Sequence, residues 1–121
     1  YDSHYFAIVV EDSVMEKKGI VEMCLLWVLL KDDSYGYQLI HTLSNIFSPL
    51  PERTVYAILK RSLDEGYTEQ YTNQISAGPP RKYYRITEKG KLHLDDCIKT
   101  WTKLVQSVES LGITESKNRT I

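Results

Sequence analysis

The chain has 121 residues, 42% hydrophobic and 26% charged, the size and balance of one small globular domain and not of a disordered or fibrous chain. Its longest apolar run, about eight residues from Met23 to Leu30, falls well short of the ~18 to 20 that span a bilayer, so no membrane partner is expected. The formal net charge is −1, but Arg53 to Lys91 carries eight Lys or Arg against four Asp or Glu, whereas Tyr1 to Glu52 carries three against eight; an anionic partner would meet the middle third.

The leader, Tyr1 to Val14, has an apolar patch from Phe6 to Val10 with no basic residue before it, unlike a secretory signal, and the first methionine is Met15. It reads as a segment of doubtful origin, foreign to the fold or an ordered arm, and the domain is taken to begin at residue 15. Glu16 to Leu30 predicts a first helix with its apolar stripe at Ile20, Met23, Cys24, Trp27 and Leu30. Lys31-Asp32-Asp33-Ser34 is a polar break. Tyr35 to Phe47 predicts a second helix through Leu39, Ile40, Leu43 and Phe47, with Ser34 as its N-cap.

Ser48-Pro49-Leu50-Pro51 is a short stop, and Pro51 suits the first position of a third helix, where its missing N–H costs nothing. Val55, Ile58, Leu59 and Leu63 form that helix's inner face, Glu52 favours its dipole, and Gly66 ends it. Tyr67 to Gln74 then alternates threonine and tyrosine with polar residues, as a strand does. A loop through Gly78-Pro79-Pro80 leads to a second strand, Arg81 to Ile86. Thr87 can cap a last helix that runs to about Leu111, with Leu94, Ile98, Trp101, Leu104, Val105 and Val108 as apolar positions and Gly112 as its end. Residues 113–121 read as a polar, flexible tail.

Three helices followed by a hairpin is the layout of a winged helix-turn-helix: mainly α with a β-hairpin wing, over residues 15–86. The long helix of residues 87–112 exceeds what that small fold can cover, and a second subunit is the simplest cover. A short turn between helices two and three projects the third from the surface. Its outward set is Glu52, Arg53, Thr54, Tyr56, Ala57, Lys60 and Arg61; Arg53 and Lys60 can reach base edges or phosphates, and Thr54 and Tyr56 can donate to phosphates or touch a thymine methyl. Arg81 and Lys82, stiffened by the preceding prolines, form a basic wing suited to a phosphate strand or minor groove. The same residues would also serve as an ordinary solvated helix face and hairpin.

Three segments in series carry a resemblance. Ser34-Tyr35-Gly36-Tyr37-Gln38-Leu39, Thr54-Val55-Tyr56-Ala57-Ile58-Leu59-Lys60-Arg61 and Gly78-Pro79-Pro80-Arg81-Lys82-Tyr83-Tyr84-Arg85-Ile86-Thr87-Glu88-Lys89-Gly90 look like PadR-type repressors, over about Gly19 to Leu111. The resemblance implies a bacterial transcriptional repressor, dimeric through its first and last helices, with the third helix in the major groove of double-stranded operator DNA and the wing on the backbone. It implies DNA contact at Tyr37, Thr54, Tyr56 and Lys60, and wing contact at Arg81 and Lys82. It also implies release by a small phenolic or flat aromatic effector near the dimer interface. The chain departs from the pattern at Pro51, where a Ser or Thr is usual, and at Arg53, where a small residue is usual. Arg61-Ser62-Leu63 replaces the usual Arg-Leu-Glu, which suggests a helix rotated slightly to bury Leu63.

Met23, Trp27, Ile98, Trp101 and Val105 could form a slot for a flat aromatic, Trp101 matching the position that multidrug-sensing relatives use; alternatively both indoles fill the interface. Cys24 and Cys97 show no metal-ligand spacing and read as buried free thiols in a reducing cytosol. His4, His41 and His93 are scattered, no phosphate loop or nucleophile elbow is present, and Asp95-Asp96 reads as a solvated pair, so neither enzyme nor cofactor is expected. The competing function is a winged-helix module that docks a protein partner through Trp101 and the long helix. A third reading is a ligand sensor or carrier without DNA binding, which tryptophan quenching would reveal.

Overall fold

The first helix, α1 (residues 18–31), is apolar on two sides, which a single stripe of expected positions does not capture. Val21, Leu25, Leu26 and Leu29 are buried in the domain core. The predicted stripe is the opposite side: Ile20, Met23 and Cys24 are half-buried and Trp27 and Leu30 exposed. Both faces have helical spacing, so periodicity alone could not choose between them; the β-hairpin domain took the more uniformly aliphatic one. A computed structural model of the chain describes residues 18–48, 50–73 and 78–115; the leader Tyr1–Val14 and the tail from residue 116 lie outside them.

After α1 the chain makes a two-residue strand, β1 (Ser34–Tyr35), and then α2 (Gly36–Ile46). Ser34 is therefore not the N-cap. Tyr35 holds that position without a side-chain hydrogen bond, and Ser34 Oγ donates to Asp32 O at 3.4 Å. Leu39 and Leu43 face the core. Ser44 Oγ donates to Leu50 O and ties the stop between α2 and α3 back onto α2.

Helix α3 (Glu52–Asp64) starts one residue later than expected: Pro51 is the N-cap, and its carbonyl accepts from Thr54 N and Val55 N. Gly66, at φ 80°, ends it as expected. Gly66 N bonds Leu63 O at 3.1 Å and Tyr67 N bonds Ser62 O at 3.0 Å, the paired closure that a left-handed C′ residue permits. The suggested rotation does not occur. Ser62 stays fully buried, its hydroxyl without a partner among the described residues, and Leu63 is only half-buried against the core.

Strands β2 (Thr68–Asn73) and β3 (Arg81–Ile86) form the wing, with Thr68 opposite Ile86 and Asn73 opposite Arg81. The sheet has three strands in the order β1-β3-β2, all antiparallel, because Ser34 and Tyr35 pair with Tyr84 and Tyr83. Alternation then sorts the tyrosines: Tyr84 turns into the core and Tyr83 toward the outer face. Gly36 is required here, since a Cβ would stand 2.6 Å from the Tyr84 ring.

Helix α4 (Glu88–Ser110) is capped as the sequence indicates. Thr87 Oγ1 accepts from Gly90 N at 3.0 Å and donates to Gly66 O at 2.6 Å, so one hydroxyl fixes both the helix start and the end of α3. Gly90 allows α4 to cross the Tyr67 carbonyl, which a Cβ would strike. Gly112, at φ 77°, closes the helix. One core joins Leu25, Leu26 and Leu29 with Leu39, Leu43, Val55, Leu59, Tyr84 and Leu94. Beyond Leu94 no residue of α4 is buried, and no helix among the described residues is long and apolar enough to cross a membrane.

Candidate nucleic-acid interface

Helix α3 has a full division of labour. Val55, Ile58, Leu59 and Ser62 are buried, which fixes the helix on the domain and turns Arg53, Tyr56, Ala57, Lys60 and Arg61 to solvent; Thr54 is half-buried. Arg53, Lys60 and Arg61 carry no ion pair among the described residues, so their donors remain available to an anion. Glu52, the one acidic group in the first turn, is held aside: its carboxylate pairs with His41 Nδ1 at 2.9 Å. That pair is half-exposed and energetically minor, but it links α2 to the start of α3.

The N-terminus of α2 and the wing meet through β1. Tyr37, 65% exposed, stacks on His41 at 6.2 Å between ring centroids. Tyr35 lies 6.2 Å from Tyr37 and 6.0 Å from Tyr83, and the Arg81 guanidinium sits 5.0 Å over the Tyr35 ring. An aromatic strip thus runs from α2 onto the wing, with Arg81 over its middle ring. Tyr35 and Tyr83 were not among the sequence-predicted contacts. The Tyr83-Tyr84 alternation was the available signal, but only the unforeseen β1 pairing shows which tyrosine faces outward.

The wing cations are not equivalent. Lys82 is exposed without an ion pair among the described residues, whereas Arg85 donates to Glu69 Oε1 at 2.8 Å and lies 4.9 Å over Tyr71. Hydrogen bonding to Glu69, more than its charge, raises the Arg85 pKa further above an already high value. Tyr71 donates to Asp33 Oδ2 at 2.7 Å, and that bond is the main cause of its raised pKa; burial is the main cause at Tyr84, whose hydroxyl accepts from Gln70. Both phenols stay protonated at neutral pH, so neither adds a negative charge to the wing.

Four of the five residues read as a ligand slot come together. Met23, Trp27, Ile98 and Trp101 line an apolar cavity of about 320 Å³ between α1, α2 and α4, together with Val28 and Phe47. Val105 does not line it; it lies one helical turn farther along α4 and is half-buried. Trp27 and Trp101 are 46% and 40% exposed, and the Lys31 ammonium rests 4.7 Å over the Trp27 ring.

A profile of the transcriptional regulator PadR-like family matches residues 25–96, from the core of α1 into α4. The chain belongs to the PadR-like family of transcriptional regulators. A PadR-like regulator from Bacillus cereus is similar at 33% identity and a TM-score of 0.71, covering 81% of this chain and 96% of that one. A PadR family regulator from Clostridium difficile is similar at 27% identity and a TM-score of 0.66, over 75% of this chain and 96% of its own. An uncharacterized protein of Lysinibacillus sphaericus is 32% identical over 95 residues, 76% of this chain and 87% of that protein. This PadR-like chain is therefore a transcription regulator with a DNA-binding winged helix and a long C-terminal helix, as the motifs indicated.

Proposed function

We propose that the protein is a repressor that binds a pseudo-palindromic DNA operator as a homodimer. Each α3 would enter a major groove through Arg53, Thr54, Tyr56 and Lys60, with Tyr37 at its edge and Arg81 and Lys82 of the wing on the phosphate backbone. The observation that carries this reading is the co-location of two things on one core: a cationic helix face whose Arg53, Lys60 and Arg61 have no ion pair among the described residues, and an aromatic strip that leads to the wing cations. Dimerisation rests on the bare side of α1 and α4, where Trp27, Leu30, Trp101, Leu104 and Val108 are exposed. Twofold pairing would set the two α3 helices about one turn of DNA apart, roughly 34 Å or a multiple.

The cavity of Met23, Trp27, Ile98 and Trp101 supports a second element, release of DNA by a small aromatic or phenolic effector. Its lining is almost wholly apolar and two indoles flank it, which suits a flat ring. Mobility shift on DNA upstream of the gene, across a salt series, tests the main reading. A discrete complex whose affinity falls steeply with salt supports it. An intact dimer that shifts no duplex at low salt would instead favour a protein-docking module. Tryptophan quenching by a panel of flat aromatics, followed by loss of the shifted complex, tests the effector.

A further inference from the structure

His93 occupies a place that its isolation in the sequence does not suggest. It projects from α4 toward α1, and two side chains converge on one of its atoms. Glu22 Oε1 lies 2.7 Å and Cys97 Sγ 3.5 Å from the same Nε2. The three donor atoms all fall within 4.8 Å of one another. Glu22 is 8% exposed, a costly place for a carboxylate, and it pairs there with His93, which carries charge only when protonated. The imidazole is fixed in plane by Tyr67, stacked at 4.0 Å and 2°.

This is not a relay of the Cys-His-carboxylate kind. A relay uses one ring nitrogen for the nucleophile and the other for the acid. Here both partners address Nε2, which has a single site to offer. If Nε2–H donates to Glu22, it cannot also accept from the Cys97 thiol. A cation in place of that proton would accept from all three at once.

We propose that Glu22, His93 and Cys97 form a binding site for a divalent transition-metal ion of the zinc class, bridging α1 and α4. The donor set of carboxylate oxygen, imidazole nitrogen and thiolate sulfur is the one zinc takes. His93 and Cys97, four apart on one helix, present their donors on the same face. For tetrahedral zinc, with Zn–N near 2.0 Å and Zn–S near 2.3 Å, the nitrogen–sulfur edge is about 3.5 Å. The observed 3.5 Å already matches it. The Glu22–His93 separation must open by about 0.6 Å to reach the corresponding nitrogen–oxygen edge of about 3.3 Å, a small rotation of a glutamate side chain. Cys97, alone of the three, also lines a groove of about 490 Å³ with Gly19, Asp96 and Thr100, and an ion would enter from that side. Asp96 adds a second acidic group near the thiol.

The site stands apart from DNA binding and is tested without it. The untagged full-length chain, reduced and freed of metal, is titrated with Co²⁺ and followed by absorption. One ion per chain, with a thiolate-to-cobalt charge-transfer band that Zn²⁺ abolishes, is expected. Cys97→Ser should lose the band and Cys24→Ser should keep it. Glu22→Gln and His93→Gln should each weaken binding at least about tenfold, since even outer partners of a metal site cost roughly 10–100-fold. Circular dichroism confirms that each variant is folded; should His93→Gln not fold, the one-atom change Cys97→Ser decides alone. No band at millimolar Co²⁺, a band that survives Cys97→Ser, or one lost in Cys24→Ser would overturn the site.

Discussion

Helices α3 and α4 are both amphipathic, yet they meet opposite fates. The 13 residues of α3 bury four side chains in the domain and show charge to solvent. The 23 residues of α4 bury only Gly90 and Leu94, and leave Trp101, Leu104 and Val108 exposed. The first helix has found its apolar partner within the chain and offers a polar face outward. The second offers an apolar face outward, and its missing partner is the natural place for a second copy. On the proposed reading the contrast separates two jobs: α3 is held on the core so that its cations point one way, and the exposed face of α4 is where a second copy would pair.

Core truncation should sharpen this contrast most. Leu59→Ala should cost about 2–5 kcal/mol in chemical unfolding, whereas Leu104→Ala, measured at concentrations where chains are separate, should fall within about 0.5 kcal/mol. Equal losses would mean that α4 is packed within its own chain. Gly90→Ala comes next. Alanine in a helix interior normally gains about 1 kcal/mol over glycine, but here the added carbon strikes the Tyr67 carbonyl, so the thermal midpoint should fall, by an amount equivalent to roughly 1–3 kcal/mol.

The wing and α3 give smaller, electrostatic effects. Lys60→Ala and Arg81→Ala should each lower DNA affinity and reduce the slope of log affinity against log salt by about 0.9. Arg85→Ala should move the slope less, because its guanidinium is already engaged by Glu69. A larger slope change at Arg85 than at Lys60 would reverse the assignment of the contact face. Smallest of all, Ser62→Ala removes a buried hydroxyl that lacks a partner among the described residues, and should raise stability by up to about 1 kcal/mol in denaturant titration.

Much of the fold was legible because its signals are local. Thr87, Gly66 and Gly112 set helix ends by chemistry that needs no distant partner, and Arg81–Ile86 was read to its observed limits. The features that escaped depend on tertiary pairing. Strand β1 is two residues long and exists only because β3 passes beside it. The stripe expected on α1 is the less buried of its two apolar sides, between which period alone is silent. On α3, Leu63 was expected inside, but the backbone kept Ser62 there. The outward residues of α3 and the wing were readable from the same spacing that buried their neighbours. The contact of Glu22 with His93 spans 71 positions and left no trace in the sequence pattern.

The decisive measurement is the mass of the protein bound to a duplex obtained by in vitro selection, determined by sedimentation equilibrium alongside Leu104→Glu. Two chains per duplex for the native protein, and dissociation to single, weakly bound chains for the variant, are expected. A native complex with one chain per duplex, or a variant that still binds in pairs, would contradict the pairing of α3 helices through α1 and α4.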